Sequence, residues 1–159
     1  MPASDDLIDT LLGLAPGDKL HALRRRRPEA LRHAEGAFAE LLLPADPGGI
    51  SRAERALLAM RVAAREGDAA LAARFRAMVV AAGGDPEAAV GDARLAALLR
   101  HADKVAADPE STTRADLDGL AALGLSARDI VAATQLVAFV PYQLRVLAGL
   151  RAMQREMPR

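Results

Sequence analysis

ISRAERALLAMRVAAREGDAALAARFRAMVVAAGG, residues 50–84, reads as two helices joined by a short turn. Ser51 and Glu54 form a capping box, in which the hydroxyl accepts an N–H and the acid three positions on reaches back. Gly67 ends the first apolar run, Asp68 has the character of an N-cap, and Leu71 and Phe75 follow on one face of the second helix. Both runs are built on Ala, Leu and Val. Nothing in them alternates with the period of a strand.

The same signals recur outward from this stretch. Thr113 with Asp116 and Ser126 with Asp129 repeat the capping box ahead of further apolar-periodic runs. Breakers place a first helix over about Asp5 to Leu14, a short one over Lys19 to Arg26, and another after Pro28, which suits a first helical turn. Helices over about Arg52 to Glu66, Ala69 to Ala82, Ala93 to Ala106 and Ala127 to Gln154 complete the reading. The expectation is an all-α fold, one compact unit, with residues 1–49 an N-terminal helical extension on a core of residues 50–159.

Composition supports this and narrows the function. At 159 residues the chain is long enough to bury a real core, and 52% of it is hydrophobic with only three Phe, one Tyr and no Trp. A core of small residues invites further burial between subunits, so a homo-oligomer is expected. Net formal charge is zero, which argues against a nucleic-acid partner. The basic run Arg24 to Arg27 is either a solvated helix end facing the dipole or a contact for phosphate or anionic lipid. There is no cysteine, which excludes disulfides, thiolate metal sites and thiol nucleophiles. The acidic start does not resemble a secretory signal, and the uncharged stretch Ile130 to Leu144 falls short of the roughly 20 apolar residues of a span. A cytoplasmic protein without a membrane segment is the expectation.

The last helix holds the binding-site candidates. Pro141 removes the N–H that would reach the Val137 carbonyl, so a kink or break is expected there. Ile130, Val137, Leu144 and Leu147 make one apolar face, and Leu136, Phe139, Val146 and Leu150 another, as in a central helix. Gln135, Tyr142 and Arg145 fall within an arc of ~80°. They are either a stripe contacting a small anionic ligand, or an Arg that snorkels while the other two satisfy backbone around the kink. Asp103, Asp116 and Glu54 are the internal acids open to Arg145. His101, with Asp103 or Lys104, is the raw material for acid–base chemistry, as is Glu54. His33 with Glu29 is a looser pair, His21 stands alone, and no metal-ligand spacing recurs.

Residues 50–84, together with HADKVAADPESTTRADLDGLAALGLSARDIVAATQLVAFVPYQLRVLAGL at 101–150, resemble the carboxymuconolactone decarboxylase and alkylhydroperoxidase D-like superfamily. The similarity is to its peroxidase-related branch and spans roughly Ile50 to Leu150. It implies a helical bundle with a long C-terminal helix, assembling as a dimer, trimer or hexamer. Peroxidase-type members open the helix after the turn with Cys-x-x-Cys-x-x-x-His. The matching positions here are Asp68, Leu71 and Phe75. A helix N-terminus favours a thiolate, and Asp68 keeps an anion there without its reactivity. The resemblance thus implies a non-redox protein with no cofactor, binding a ligand or partnering a related enzyme. Decarboxylase-type members do not need cysteines, so a cysteine-independent enzyme on a small carboxylate or lactone is the alternative.

Overall fold

The three hydroxyl–acid pairs all close as capping boxes: Ser51 with Glu54, Thr113 with Asp116, and Ser126 with Asp129. Each satisfies two backbone donors that a helix start leaves open. In the computed structural model, residues 6–87 and 92–157 are described. They form α1 (Leu7–Leu12), α2 (Lys19–Arg24), α3 (Pro28–Leu42), α4 (Arg52–Arg65), α5 (Ala69–Ala81), α6 (Ala93–Ala107), α7 (Arg114–Ala122) and α8 (Ala127–Glu156). A 3-10 turn at Pro109–Ser111 joins α6 to α7, and there is no strand among the described residues. The fold is all-α. The expected start of the first helix, Asp5, lies outside the described residues.

α4 and α5 pack against one another, and α4 also lies against α3, α6 and α8. Ala56, Ala59 and Ala63 are buried on α4 and let its neighbours come close, while Leu58 and Val62 fill the space between. Leu71 and Phe75 project into the same core, which continues through Leu98 of α6 to Leu136, Val137 and Val140 of α8. α1 adds a smaller cluster, Ile8 and Leu12 against Leu147. α8 is the central helix, touched by α1, α2, α3, α4, α6 and α7. Its length and an 18-residue window of mean hydropathy 1.4 would suit a membrane span by composition alone. Of that window, 39% is buried against the other helices.

Two expectations are narrowed. Of the kink or break expected at Pro141, the break does not occur, and α8 is continuous from Ala127 to Glu156. An interior proline costs about 3 kcal/mol, and burial on both sides of it, at Val137, Val140 and Leu147, offsets that cost. Nor is the basic run uniformly solvated. The Arg24 guanidinium, only 8% exposed, bridges the carboxylates of Asp6 and Asp9, and Arg25 reaches Asp9 at 2.9 Å. Asp6 also caps α1 through the Asp9 N–H at 2.8 Å. This ion cluster ties α1 to the end of α2, while Arg26 and Arg27 stay in solvent.

The loop from α3 to α4 is held from two sides. Arg55, buried on α4, donates to the carbonyls of Ile50 (2.9 Å), Leu41 (2.9 Å) and Pro47 (3.0 Å). From α8, Asp129 accepts the Gly49 N–H at 2.8 Å. These contacts fix where α4, and so the turn into α5, sits against α8.

Candidate functional site

The turn from α4 to α5 needs a left-handed residue, which Gly67 supplies with φ 80°. Asp68 then caps α5, its Oδ1 accepting the Leu71 N–H at 2.9 Å. Its Oδ2 accepts from Arg151 Nη1 of α8 at 2.7 Å. Burial works to raise the Asp68 pKa, but the hydrogen bonds from Arg151 and the Leu71 N–H outweigh it and hold the carboxyl below its ordinary range. Asp68 is therefore a fixed anion with its acceptor sites engaged. Leu71 and Phe75 are fully buried and pack in the core.

Beside this turn lies an open groove of about 280 Å³ lined by Glu66, Asp68, Pro141, Leu144, Arg145 and Arg151. Arg145 is exposed, and no acid pairs with it among the described residues. The internal acids that sequence offered it are engaged elsewhere. Asp103 holds Arg61 with two hydrogen bonds of 2.8 and 2.7 Å, Asp116 holds Lys104 at 2.7 Å, and Glu54 holds Arg94 beside its own capping box. The ion pair formed in the groove is Asp68–Arg151 instead.

The expected stripe does not form one enclosed site. Gln135, Tyr142 and Arg145 all lie on the solvent side of α8. Ten residues separate the first from the last, about 15 Å along the axis. Arg145 lines the groove and Gln135 does not. Tyr142 lines a different pocket, with its ring 6.2 Å from that of Phe139.

His101 is buried on α6. Its Nε2 lies 2.8 Å from Thr134 Oγ1, and that hydroxyl donates to the Ile130 carbonyl at 2.8 Å. Since the single hydroxyl proton is committed, Nε2 carries the ring proton and Nδ1 presents its lone pair. Nδ1 is buried and meets no hydrogen-bond partner. Burial pushes the His101 pKa down, Asp116 raises it and Lys104 lowers it. The ring borders a cleft of about 390 Å³ with Arg100, Lys104, Asp116 and Leu123. Thr134 and Arg145 are eleven residues apart on α8, about 16 Å, so His101 and Arg145 do not share one site. His33 and His21 only approach Glu29 (3.8 Å) and Asp9 (3.9 Å). Among the described residues no cluster of His, Asp and Glu could hold a metal ion.

Arg55, Thr134 and Gln143 are polar groups that the sequence reading passed over, and Asp129, read there only as a capping-box acid, is also the acceptor for Gly49. Gln143 carried a readable signal. It lies four residues after Phe139, three before Val146 and seven from Leu136 and Leu150, at the centre of an apolar face.

No family model and no curated protein matches the chain. Among solved structures it is similar to an uncharacterised peroxidase-related protein from Silicibacter sp. TM1040, with 23% identity over 77% of this chain and 69% of that one, and a TM-score of 0.70. The chain has the fold of that peroxidase-related protein.

Proposed function

We propose that the chain is a non-redox member of the alkylhydroperoxidase D-like and carboxymuconolactone decarboxylase-like superfamily. It is a cytoplasmic homo-oligomer that binds a small anionic ligand, alone or as partner of a related enzyme. One observation carries the reading: the position where the resemblance places the reactive thiol holds Asp68, fixed as an N-cap and paired with Arg151. A carboxylate there keeps the negative charge that suits a helix N-terminus, but it neither attacks a peroxide nor forms a disulfide. The unpaired Arg145 beside it supplies the cation for a carboxylate ligand.

Hydroperoxide consumption with dithiothreitol should equal that of heat-denatured protein, and any excess refutes the non-redox reading. Benzoate, as a minimal carboxylate, should bind wild-type protein and bind Arg145→Met at least tenfold more weakly, with assembly unchanged. Equal affinity for both refutes the groove.

His101 favours a second reading, a cysteine-independent acid–base enzyme. A neutral imidazole whose buried Nδ1 has no partner, on a residue that lines the same cleft as Arg100, has the parts of a general base next to an anion-binding cation. On this reading His101→Gln abolishes turnover of a small carboxylate or lactone while Arg145→Met spares it.

A further inference from the structure

The side chain of Gln143 is an anomaly in the core. The residue is 3% exposed, and no hydrogen bond reaches its amide among the described residues. A primary amide offers two donors and a two-lone-pair acceptor, and here they are met by no protein group among the described residues and are not fully sealed from the pockets beside them. Leucine or methionine would fill the same place on this apolar face with no polar group to satisfy. The amide is also not walled in by packing. Gln143 lines two pockets, of about 190 and 230 Å³, that abut across Ile8, Ala34 and Gln143 itself. The surfaces between α1, α3 and α8 are mainly apolar by area, with Leu7, Ile8 and Phe38 on one side and Leu31, Val146 and Leu150 on the other, and Asp6, Glu35, Arg24 and Arg27 also line them.

We infer that this channel is a binding site for a small, mainly apolar and uncharged carbonyl compound (a ketone, ester or amide), whose oxygen accepts from the Gln143 amide. The uncharged class follows from the electrostatics. The Asp6 and Asp9 carboxylates at the α1 side are already bridged by Arg24 and Arg25, and Arg24 is committed to them. A carboxylate drawn in as far as Gln143 would lose its water beside Asp6 and Glu35, which line the first pocket with the amide, while Arg27, the further cation of the second pocket, is exposed and keeps its own hydration. A carbonyl needs one donor, which the amide has. Mostly apolar walls with a single placed polar group are the usual build of a small-molecule site. This site lies apart from the Arg145 groove and does not depend on it.

Three probes with the same ring separate the alternatives: acetophenone, ethylbenzene and benzoate, each titrated into the full chain and followed by chemical-shift changes. Acetophenone should bind wild-type protein about five- to tenfold more tightly than ethylbenzene, the worth of one buried hydrogen bond. Gln143→Met should keep or raise the melting temperature and erase that preference. Ala34→Leu, which fills the channel from α3 without touching the amide, should block acetophenone, and Arg145→Met should leave it unchanged. Equal binding of acetophenone and ethylbenzene, a preference for benzoate at this site, or a preference that survives in Gln143→Met overturns the proposal. So does the failure of all three probes to bind, in which case ordered water alone satisfies the amide.

Discussion

Gly49→Ala tests how α4 is held against α8. A Cβ at this position would stand 2.6 Å from Asp129 Oδ2 and 3.0 Å from its Cγ, so the whole carboxylate must swing away. The Gly49 backbone is not left-handed, and alanine meets no torsional penalty there. The Gly49 N–H then loses its 2.8 Å bond to a buried charge, worth about 1.5–3 kcal/mol. The displaced Asp129 also releases the Ser126 N–H it accepts at 2.9 Å, which removes part of a capping box worth about 1 kcal/mol. Some relaxation of the loop recovers part of this, leaving an expected loss of about 2–4 kcal/mol. In a chain of 159 residues that lowers the melting temperature by roughly 5–15 °C. Urea melts of wild type, Gly49→Ala, Asp129→Ala and the double variant give the coupling directly. With the carboxylate gone the new methyl has nothing to strike, and Gly49→Ala should cost under about 0.5 kcal/mol in that background. A loss below about 0.5 kcal/mol in the wild-type background, or an equal loss in both, refutes the reasoning.

Asp68→Asn keeps an acceptor for the Leu71 N–H but gives up the partly exposed pair with Arg151, so it should cost less than about 1 kcal/mol, and Asp68→Ala about 1–2 kcal/mol. Because the folded Asp68 pKa is lowered, its contribution is complete above the unfolded carboxylate value and is lost as pH falls through the folded one. The gap between wild type and Asp68→Asn should therefore hold above about pH 5 and narrow as pH falls through about 4 and below, and a constant gap refutes the pair. His101 has the opposite demand: with its folded pKa depressed, the unfolded chain binds the proton first as pH drops below about 6.5, so stability falls toward about pH 5. His101→Gln should flatten that slope, and an unchanged slope in urea melts assigns it elsewhere. Light scattering should report a dimer, trimer or hexamer, in keeping with Val80 at 60% and Val131 at 54% exposure on the free chain, and a stable monomer at micromolar concentration contradicts this.

What was legible in the sequence is what neighbouring residues decide. A capping box is complete within four residues, and the starts of α4, α7 and α8 could be read from Ser51, Thr113 and Ser126 alone. Asp68 at the head of α5 is a signal of the same kind. Partners across the fold are not local. Arg24, Arg25, Arg26 and Arg27 look alike in sequence, and only the placement of α1 selects Arg24 for the buried cluster. In sequence, Asp103 and Asp116 are acids open to Arg145, and the packing of α4, α6 and α7 gives them Arg61 and Lys104 instead. The polar stripe on α8 was correct as an angular pattern, yet periodicity does not say which face neighbours will cover. The residue that breaks an apolar face, Gln143, was the better indicator of a polar group inside. Arg55 carried the same mark, in register with Ala59 and Val62 on the buried side of α4.

The segment 67–75 has a structural job that needs no thiol. A helix N-terminus facing another helix presents unpaired N–H groups and a partial positive charge, and an acceptor must meet them whatever the chemistry. Asp68 meets them, and its second oxygen draws Arg151 from α8 onto the same point. The positions three and seven residues further on lie one and two turns down the same face. Turned toward α4, they are core positions, and Leu71 and Phe75 fill them with no exposure at all. A Cys or His at either place would remove buried apolar volume from the helix pair that the rest of the bundle packs upon. Asp68, Leu71 and Phe75 thus act together: the first supplies the charge the helix start requires, and the other two make the α4–α5 contact. Placing a single cysteine at residue 68 would set a thiol at the helix N-terminus with no second thiol in the chain and with Arg151 unpaired. Asp68→Cys alone should therefore form no intramolecular disulfide and turn over no peroxide, and its thiol should titrate with an alkylating reagent as a lone, acidified cysteine. An ordinary, unshifted thiol pKa in that variant would refute the claim that this turn still holds the electrostatics of an anion site.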